Sequence, residues 1–251
     1  VPGGATTYTY SSGSQIVSPT ADASYTVSGT DANGCVNSAV SSITVNALPN
    51  ITVNSGAICT GNSFTIVPNG ATSYTYSGGS DIVSPTVDAT YTVTGADGNG
   101  CENTAVSSVT VNALPTITVN SGAICAGNSF TIVPNGATTY TYSGGSDIVS
   151  PTSDATYTVT GTDANGCENM ATSSVTVNAL PSINASSSNT LICVGETATL
   201  TATGSITTYT WSTNENTSNI AVSPTIQTTY TLMGTDANGC ENTTTVMLDV
   251  S

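Results

Sequence analysis

The sequence contains no lysine, no arginine and no histidine, although 15 of its 251 residues are aspartate or glutamate. Charged residues make up 6% of the chain, against about 25% in an average soluble domain. No ordinary salt bridge can form between its side chains, so solvent cations must balance the formal charge of −15. Duplex DNA and anionic lipid surfaces repel such a chain, and nucleic-acid binding is excluded.

The same missing residues argue against catalysis. Without histidine there is no imidazole for acid–base chemistry near neutral pH. Without lysine there is no Schiff base, and without any basic residue there is no cationic clamp for a phosphate or an oxyanion. Paired carboxylates could still hydrolyse a glycoside, but most acidic positions recur from repeat to repeat in turn-like segments, and the acidic residues do not form one unique pair. We therefore expect that the protein is not an enzyme and needs no cofactor.

Long hydrophobic runs are also missing. No apolar stretch approaches the ~18 residues that a membrane-spanning helix needs, so we expect no direct membrane insertion. Hydrophobic residues nevertheless make up 37% of the chain. Val, Ile, Tyr and Thr recur at alternating positions, which is typical of β-strands and not of disordered chains.

Internal repeats define the organisation of the chain. Residues 49–114 and 115–180 are nearly identical, and both contain SGAIC, GNSFTIVPNGAT, YTYSGGSDIVSPT, DATYTVTG, NGCEN and SSVTVNAL. Residues 181–251 form a diverged copy, and residues 1–48 an incomplete copy that begins in mid-repeat. We expect four Ig-like repeats, of which the first lacks its N-terminal part, and we expect the chain to be a segment of a longer array of repeats.

Each repeat predicts a small all-β sandwich of about six to seven strands, because short alternating segments are separated by turn residues. No segment has a helical period of useful length. In the second repeat the predicted strands are 51–53, 63–67, 73–76, 81–84, 90–94 and 102–112. The linkers are short and contain a proline, so we expect neighbouring repeats to pack at a fixed angle.

The cysteines indicate a disulfide-bonded protein from an oxidising compartment. Grouped by repeat they form pairs that are 42, 42 and 47 residues apart, and two cysteines per repeat without histidine are too few for a zinc site. The expected disulfide cysteines are Cys59, Cys101, Cys125, Cys167, Cys193 and Cys240. Cys35 is left over, and its expected partner lies upstream of Val1.

The connectivity of these disulfides has two solutions. If the strands simply alternate up and down, both cysteines of a repeat lie at one pole and pair within the repeat. A crossover between the third and fourth strands would separate them, and bonds between neighbouring repeats would then form instead, because disulfide Cα atoms must approach within ~7 Å. We favour pairing within each repeat, since a domain of this size benefits from its own staple.

A turn with the sequence Asp-x-Asn-Gly recurs before the second cysteine of every repeat. It is typical of a hairpin turn, in which Asn and Gly adopt positive φ. Its alternative interpretation is a weak calcium site built from Asp97, Asn99 and Glu102, although the loop lacks the dense Asp spacing of dedicated calcium loops.

The aromatic residues have two interpretations, as core or as a carbohydrate-binding platform. Tyr140 and Tyr142 share one face of a predicted core strand, which favours packing. In the fourth repeat, alignment on the cysteines replaces Phe130 with Ala198 and Tyr142 with Trp211. We interpret these changes as a compensated repacking that buries Trp211 across the sandwich against Ala198, near a Cys193–Cys240 bond.

The segment TYTVTGTDANGC, with ICAG upstream and SVTVNALP downstream, resembles the Ig-like and PKD-like repeats of giant Bacteroidetes-type cell-surface adhesins, exported by the type IX secretion system. The resemblance covers all four repeats. It implies a secreted protein at the cell surface that serves as a stalk, a gliding adhesin or an extracellular filament, and it carries over no catalytic residues.

Two functions follow as hypotheses. In the first, the repeats form a structural stalk or filament shaft, and their partners are neighbouring repeats or other copies in a filament. In the second, the repeats are an adhesive module that binds glycans or surfaces through many weak contacts.

Overall fold

The computed structural model describes residues 2–251, which contain 26 β-strands. Within these residues, no helix has the length and apolar character that a membrane crossing requires. The chain divides into two compact units, Val1–Asn112 and Ala113–Ser251. The first unit holds the first two repeats, and the second unit holds the third and fourth.

The first repeat consists of a single antiparallel sheet, in the order β1-β2-β3. Its strands are β1 (Thr7–Tyr10), β2 (Ala23–Thr30) and β3 (Val36–Ile43). Val27 and Ile43 of this sheet are half-buried, whereas the equivalent Val93 and Val109 of the second repeat are 0% and 2% exposed. The described residues of this repeat form this one sheet, and its inner face is therefore covered incompletely.

The second and third repeats have the same strand order. The second contains β4 (Thr52–Val53), β5 (Gly56–Cys59), β6 (Phe64–Thr65), β7 (Pro68–Asn69), β8 (Ser73–Tyr76), β9 (Ile82–Val83), β10 (Ala89–Ala96) and β11 (Glu102–Asn112). The third contains β12 (Thr118–Val119), β13 (Gly122–Cys125), β14 (Phe130–Thr131), β15 (Pro134–Asn135), β16 (Thr139–Tyr142), β17 (Ile148–Val149), β18 (Ala155–Thr162) and β19 (Glu168–Asn178). A four-stranded sheet, β5-β11-β10-β8 or β13-β19-β18-β16, is accompanied by two short strand pairs.

The fourth repeat is a more regular sandwich. Its strands are β20 (Ile183–Ser187), β21 (Leu191–Ile192), β22 (Ala198–Gly204), β23 (Thr208–Trp211), β24 (Asn219–Val222), β25 (Thr228–Thr235) and β26 (Glu241–Val250). A three-stranded sheet, β20-β22-β24, accompanies the four-stranded sheet β21-β26-β25-β23. Strand β22 is continuous because Ala202 stands where the third repeat has Pro134, which separates β14 from β15. Proline lacks the N–H that a sheet ladder needs.

The cores follow the predicted alternation of apolar and polar residues. In the third repeat Ile132, Val149, Val159 and Val175 are buried together, while the threonines between them on β18 and β19 are exposed or half-buried. All-β, Ig-like sandwich repeats, as expected from the sequence, are therefore the architecture of the chain.

Two strands of each near-identical repeat were not predicted. The first is the short strand that ends in the first cysteine, β5 or β13, and the second is β7 or β15. Strand β13 pairs in parallel with the last strand of its repeat, with Val175 opposite Gly122 and Asn178 opposite Cys125. This parallel pair decides where the first cysteine lies.

Candidate functional site at the poles of the repeats

The first cysteine of each complete repeat lies at the C-terminal pole, the end of the repeat where its last strand ends. Cys125 stands opposite Asn178, the last residue of β19. The amide of Ala126 donates to the carbonyl of Asn178 at 2.8 Å. A strand that runs parallel to the last strand must end at the same pole, so Cys125 points toward the beginning of the next repeat.

The second cysteine lies at the opposite, N-terminal pole, where the chain enters the repeat. Cys240 ends the turn between β25 and β26. Two residues later, Asn242 Nδ2 donates a hydrogen bond of 2.9 Å to the carbonyl of Pro181, the first residue of the fourth repeat. In the third repeat, Asn169 Nδ2 makes the same 2.9 Å bond to Pro115.

The two cysteines of one repeat are therefore too far apart to bond. Between Cys167 and the pole at which Cys125 lies runs the whole of β19, an extended strand of 11 residues. At about 3.3 Å per residue this strand separates them by roughly 36 Å. A disulfide requires Cα atoms within ~7 Å.

The structure instead joins consecutive repeats. Cys125 of the third repeat is bonded to Cys240 of the fourth, with a Cα–Cα distance of 5.5 Å and a sequence separation of 115 residues. Cys59 and Cys167 are also disulfide-bonded. Pairing of Cys125 with Cys167 and of Cys193 with Cys240, which the sequence favoured, is wrong, because the parallel strand β13 puts the two cysteines of a repeat at opposite poles.

Among residues 2–251, the free cysteines are Cys35, Cys101 and Cys193. Cys35 was expected to lack a partner in this chain, whereas Cys101 and Cys193 were expected to be bonded. Cys35 and Cys193 are exposed, and Cys101 is half-buried. All three occupy positions whose equivalents in other repeats carry disulfides.

The turn before the second cysteine is held by its own aspartate. Asp236 Oδ1 accepts hydrogen bonds from the amides of Asn238, at 2.8 Å, and Cys240, at 2.9 Å. Gly239 adopts a φ of +79°, which the turn requires and glycine tolerates. The Cys240 amide above all, with those of Asn238 and Gly239, holds the pKa of the Asp236 carboxyl below its ordinary value, while partial desolvation opposes the shift. The turn thus presents the cysteine from a rigid frame.

The candidate calcium residues lie in the equivalent turn of the second repeat. Asp97 Oδ1 accepts from the amides of Asn99, at 2.8 Å, and Cys101, at 2.9 Å, and the Cys101 amide in particular lowers the pKa of Asp97. Glu102 begins β11 and is exposed. In the described part of the chain, no group of three or more acidic or cysteine side chains is arranged to hold a metal ion.

Sequence reasoning missed the asparagine that follows each second cysteine. Its amide nitrogen binds the carbonyl of the linker proline, and its Oδ1 accepts from the next backbone amide, as in Asn169 and Met170 at 2.9 Å. One side chain therefore ties the hairpin to the incoming chain. The available signal was the recurrence of Asn two residues after every second cysteine, at positions 37, 103, 169 and 242.

The aromatic residues of the second to fourth repeats are packed in or against the cores. Tyr140 and Tyr142 pack against the core of the third repeat, and the Tyr140 hydroxyl both accepts from the amide of Ala137, at 2.8 Å, and donates to its carbonyl. Trp211 is 1% exposed and shares a core cluster with Ala198. Its indole N–H donates to the carbonyl of Thr217 at 3.0 Å. The predicted burial of Trp211 is confirmed, although there is no Cys193–Cys240 bond near it.

No protein-family model matches the chain, and no curated protein matches it. Solved structures of tandem β-domains are similar to the chain in part. The first is a Ca²⁺-stabilised adhesin that helps an Antarctic bacterium reach out and bind ice, with 16% identity over 92% of this chain and 82% of that chain, and a TM-score of 0.37.

The second is the N-terminal eight Ig domains of Down syndrome cell adhesion molecule, with 14% identity over 93% of this chain and 47% of that chain, and a TM-score of 0.36. The third is a three-domain Ig fragment of titin, with 9% identity over 82% of this chain and all of that chain, and a TM-score of 0.36. Similarity at this level is restricted to a loose likeness of tandem β-domains.

Proposed function

We propose that the chain is a segment of the shaft of a long extracellular bacterial surface protein, in which consecutive repeats are linked both by the peptide chain and by disulfides. The observation that carries this proposal is the Cys125–Cys240 bond, which joins the C-terminal pole of one repeat to the N-terminal pole of the next. A bond in this place does not staple a single domain. It prevents two consecutive domains from being pulled apart.

The disulfides also support the extracellular location. Structural disulfides form and persist in oxidising environments and are rare in the cytosol. Two repeats that are joined by a disulfide can resist tension without lysine-dependent isopeptide bonds, which a chain without lysine cannot form. The absence of basic residues leaves the disulfides as the covalent cross-links of the shaft.

A shaft also accounts for the second and third repeats, which have nearly the same sequence and the same strand order, and whose polar face consists of threonine and serine. The adhesive alternative needs exposed recognition residues, and in the second to fourth repeats the aromatic side chains that could stack on a sugar are packed in or against the cores. We therefore propose the structural role and keep glycan binding as an outcome of the test.

The test is immunogold labelling of intact cells that carry the protein, with antibodies raised against residues 115–251. A shaft predicts label at many positions along a surface structure, and the same label after a protease has removed the tip. Label restricted to the tip would support the adhesive function, and label found only after the cells are opened would refute the extracellular shaft. A glycan array probed with the 251-residue chain provides the matching binding assay, and a shaft should give no signal above a reduced and alkylated control.

A further inference from the structure

We infer that Cys193 is a covalent attachment site that takes the turn cysteine of a further repeat in a disulfide, and so continues the linkage found between the third and fourth repeats. The partner is chemically defined: an Asp-x-Asn-Gly-Cys turn at the N-terminal pole of a repeat of this kind. This inference deepens the proposed shaft function and rests on it, and nothing else in the chain assigns a role to Cys193.

The pole that carries Cys193 has the same construction as the pole that carries Cys125. Strand β21 pairs in parallel with β26, with Ile192 opposite Val250, and the amide of Val194 donates to the carbonyl of Ser251 at 3.3 Å. At the C-terminal pole of the third repeat, the corresponding bond joins the amide of Ala126 and the carbonyl of Asn178 at 2.8 Å. Both cysteines therefore lie beside the C-terminal end of the last strand of their repeat.

The turns after these cysteines share their backbone conformation, although in the fourth repeat the Glu196 carboxylate also accepts a hydrogen bond of 3.0 Å from the Cys193 amide. The amide of Asn128 donates to the carbonyl of Cys125 at 3.0 Å, and the amide of Glu196 donates to that of Cys193 at 3.0 Å. The glycines within the two turns, Gly127 and Gly195, have φ of +91° and +89°. The fourth repeat differs from the third in its core, but it keeps the frame that holds the bonding cysteine.

The receiving turn is formed before its partner arrives. In the first repeat, whose Cys35 is free and exposed, Asp31 Oδ1 accepts from the amides of Asn33, at 2.8 Å, and Cys35, at 2.9 Å. These are the bonds that Asp236 makes around the bonded Cys240. The difference is in burial, because Cys240 is 0% exposed once the pole of the third repeat covers it.

The two kinds of free cysteine are thus complementary. Cys193 is a first cysteine at a C-terminal pole, while Cys35 and Cys101 are turn cysteines at N-terminal poles. The structure bonds a first cysteine to a turn cysteine of the following repeat at Cys125 and Cys240. Cys193 therefore accepts a turn cysteine and discriminates against another first cysteine.

Formation of the bond requires a disulfide oxidant, which a small-molecule disulfide such as oxidised glutathione supplies. The Cys193 thiolate attacks the oxidant and releases one reduced thiol, and the turn cysteine then displaces the second. In total, two protein thiols and one oxidised disulfide give one protein disulfide and two small thiols, with both electrons taken up by the oxidant.

The experiment uses the full chain with a copy of residues 115–180 appended after Ser251, in a glutathione redox buffer. Disulfides are mapped by mass spectrometry after cleavage at acidic residues, since trypsin has no site in a chain without Lys and Arg. We expect Cys193 to be linked to the turn cysteine of the appended repeat and its first cysteine to stay free. The matched control carries a serine in place of the appended turn cysteine and should leave Cys193 as a thiol.

A second arm identifies the source of the partner, with the unextended chain at rising concentration on non-reducing gels. A ladder of multimers that Cys193→Ser abolishes, and that the double variant Cys35→Ser/Cys101→Ser also abolishes, means that a second copy supplies the turn. A link in the extended chain without such a ladder means that the following repeat of the same chain supplies it. The inference is overturned if Cys193 stays a thiol in the extended chain, or bonds equally to either appended cysteine. Neither result depends on where antibodies label cells, so the shaft proposal fails or stands separately.

Discussion

Breaking the Cys125–Cys240 bond should release a fixed length of chain under tension. The bond encloses 115 residues, and an extended chain gains at most about 3.3–3.6 Å per residue. With the bond intact, a pull applied at Ala113 and Ser251 passes through the two sulfur atoms and cannot extend the enclosed segment. Reduction of the bond should therefore add about 40 nm to the extended length.

The assay is single-molecule stretching in optical tweezers, with one handle on an unnatural amino acid at position 113 and the other after Ser251. The wild-type chain should reach its full extended length only after a reducing agent is added. The double variant Cys125→Ser/Cys240→Ser should reach it without one. Cys193→Ser is the matched control, since Cys193 is free in the structure, and it should retain the 40 nm difference.

A different connectivity would give different lengths. Bonds within the repeats would enclose 42 and 47 residues, which together correspond to about 30 nm. In that case Cys193→Ser would by itself release about 17 nm without reductant. A gain of this size in the Cys193→Ser variant, or no difference between oxidised and reduced wild type, would refute the linkage of consecutive repeats.

Three further predictions concern single side chains. Gly136→Ala should destabilise the third repeat by about 3 kcal/mol or more, because the new Cβ would lie 1.9 Å from the carbonyl oxygen of Thr116. The control is Gly145→Ala, which also has positive φ but open space around the new Cβ, and it should cost only about 1 kcal/mol. Equal denaturant midpoints for the two variants would contradict the clash. Trp211, the single tryptophan, should show blue-shifted fluorescence that resists acrylamide, and emission like that of free tryptophan would show that it is not buried. The pKa of Asp236 is lowered in the folded state, so its contribution to stability is present above the unfolded-state pKa of about 4 and is lost as the pH falls through the lower folded pKa. The melting temperature of Asp236→Asn between pH 2 and 6 should therefore depend less on pH than that of the wild type. Parallel curves for the two proteins would show that the turn does not stabilise the charged form.

The core of each repeat was predictable because its signal is local. Side chains two residues apart in a strand share a face, so the alternation around Val93 and Val109 identified the buried positions directly. The burial of Trp211 was predicted from a different signal, a large residue gained where Ala198 had replaced a Phe on a strand expected to face it. Local alternation needs no knowledge of which strands are neighbours, and the tertiary structure agrees with it at these positions.

The chemistry of the chain was also determined by the sequence alone. Without Lys, Arg and His the side chains can form no ordinary salt bridge whatever the fold, and seven regularly spaced cysteines indicate disulfides. Which cysteines meet was decided only by the tertiary structure. The segment that ends in Cys125 is four residues long, contains a glycine and shows no alternation. Its partner strand begins more than 40 residues later, and no local pattern records the parallel direction of that pairing. This direction places the two cysteines of the repeat at opposite poles, and it brings Cys125 to Cys240 of the following repeat.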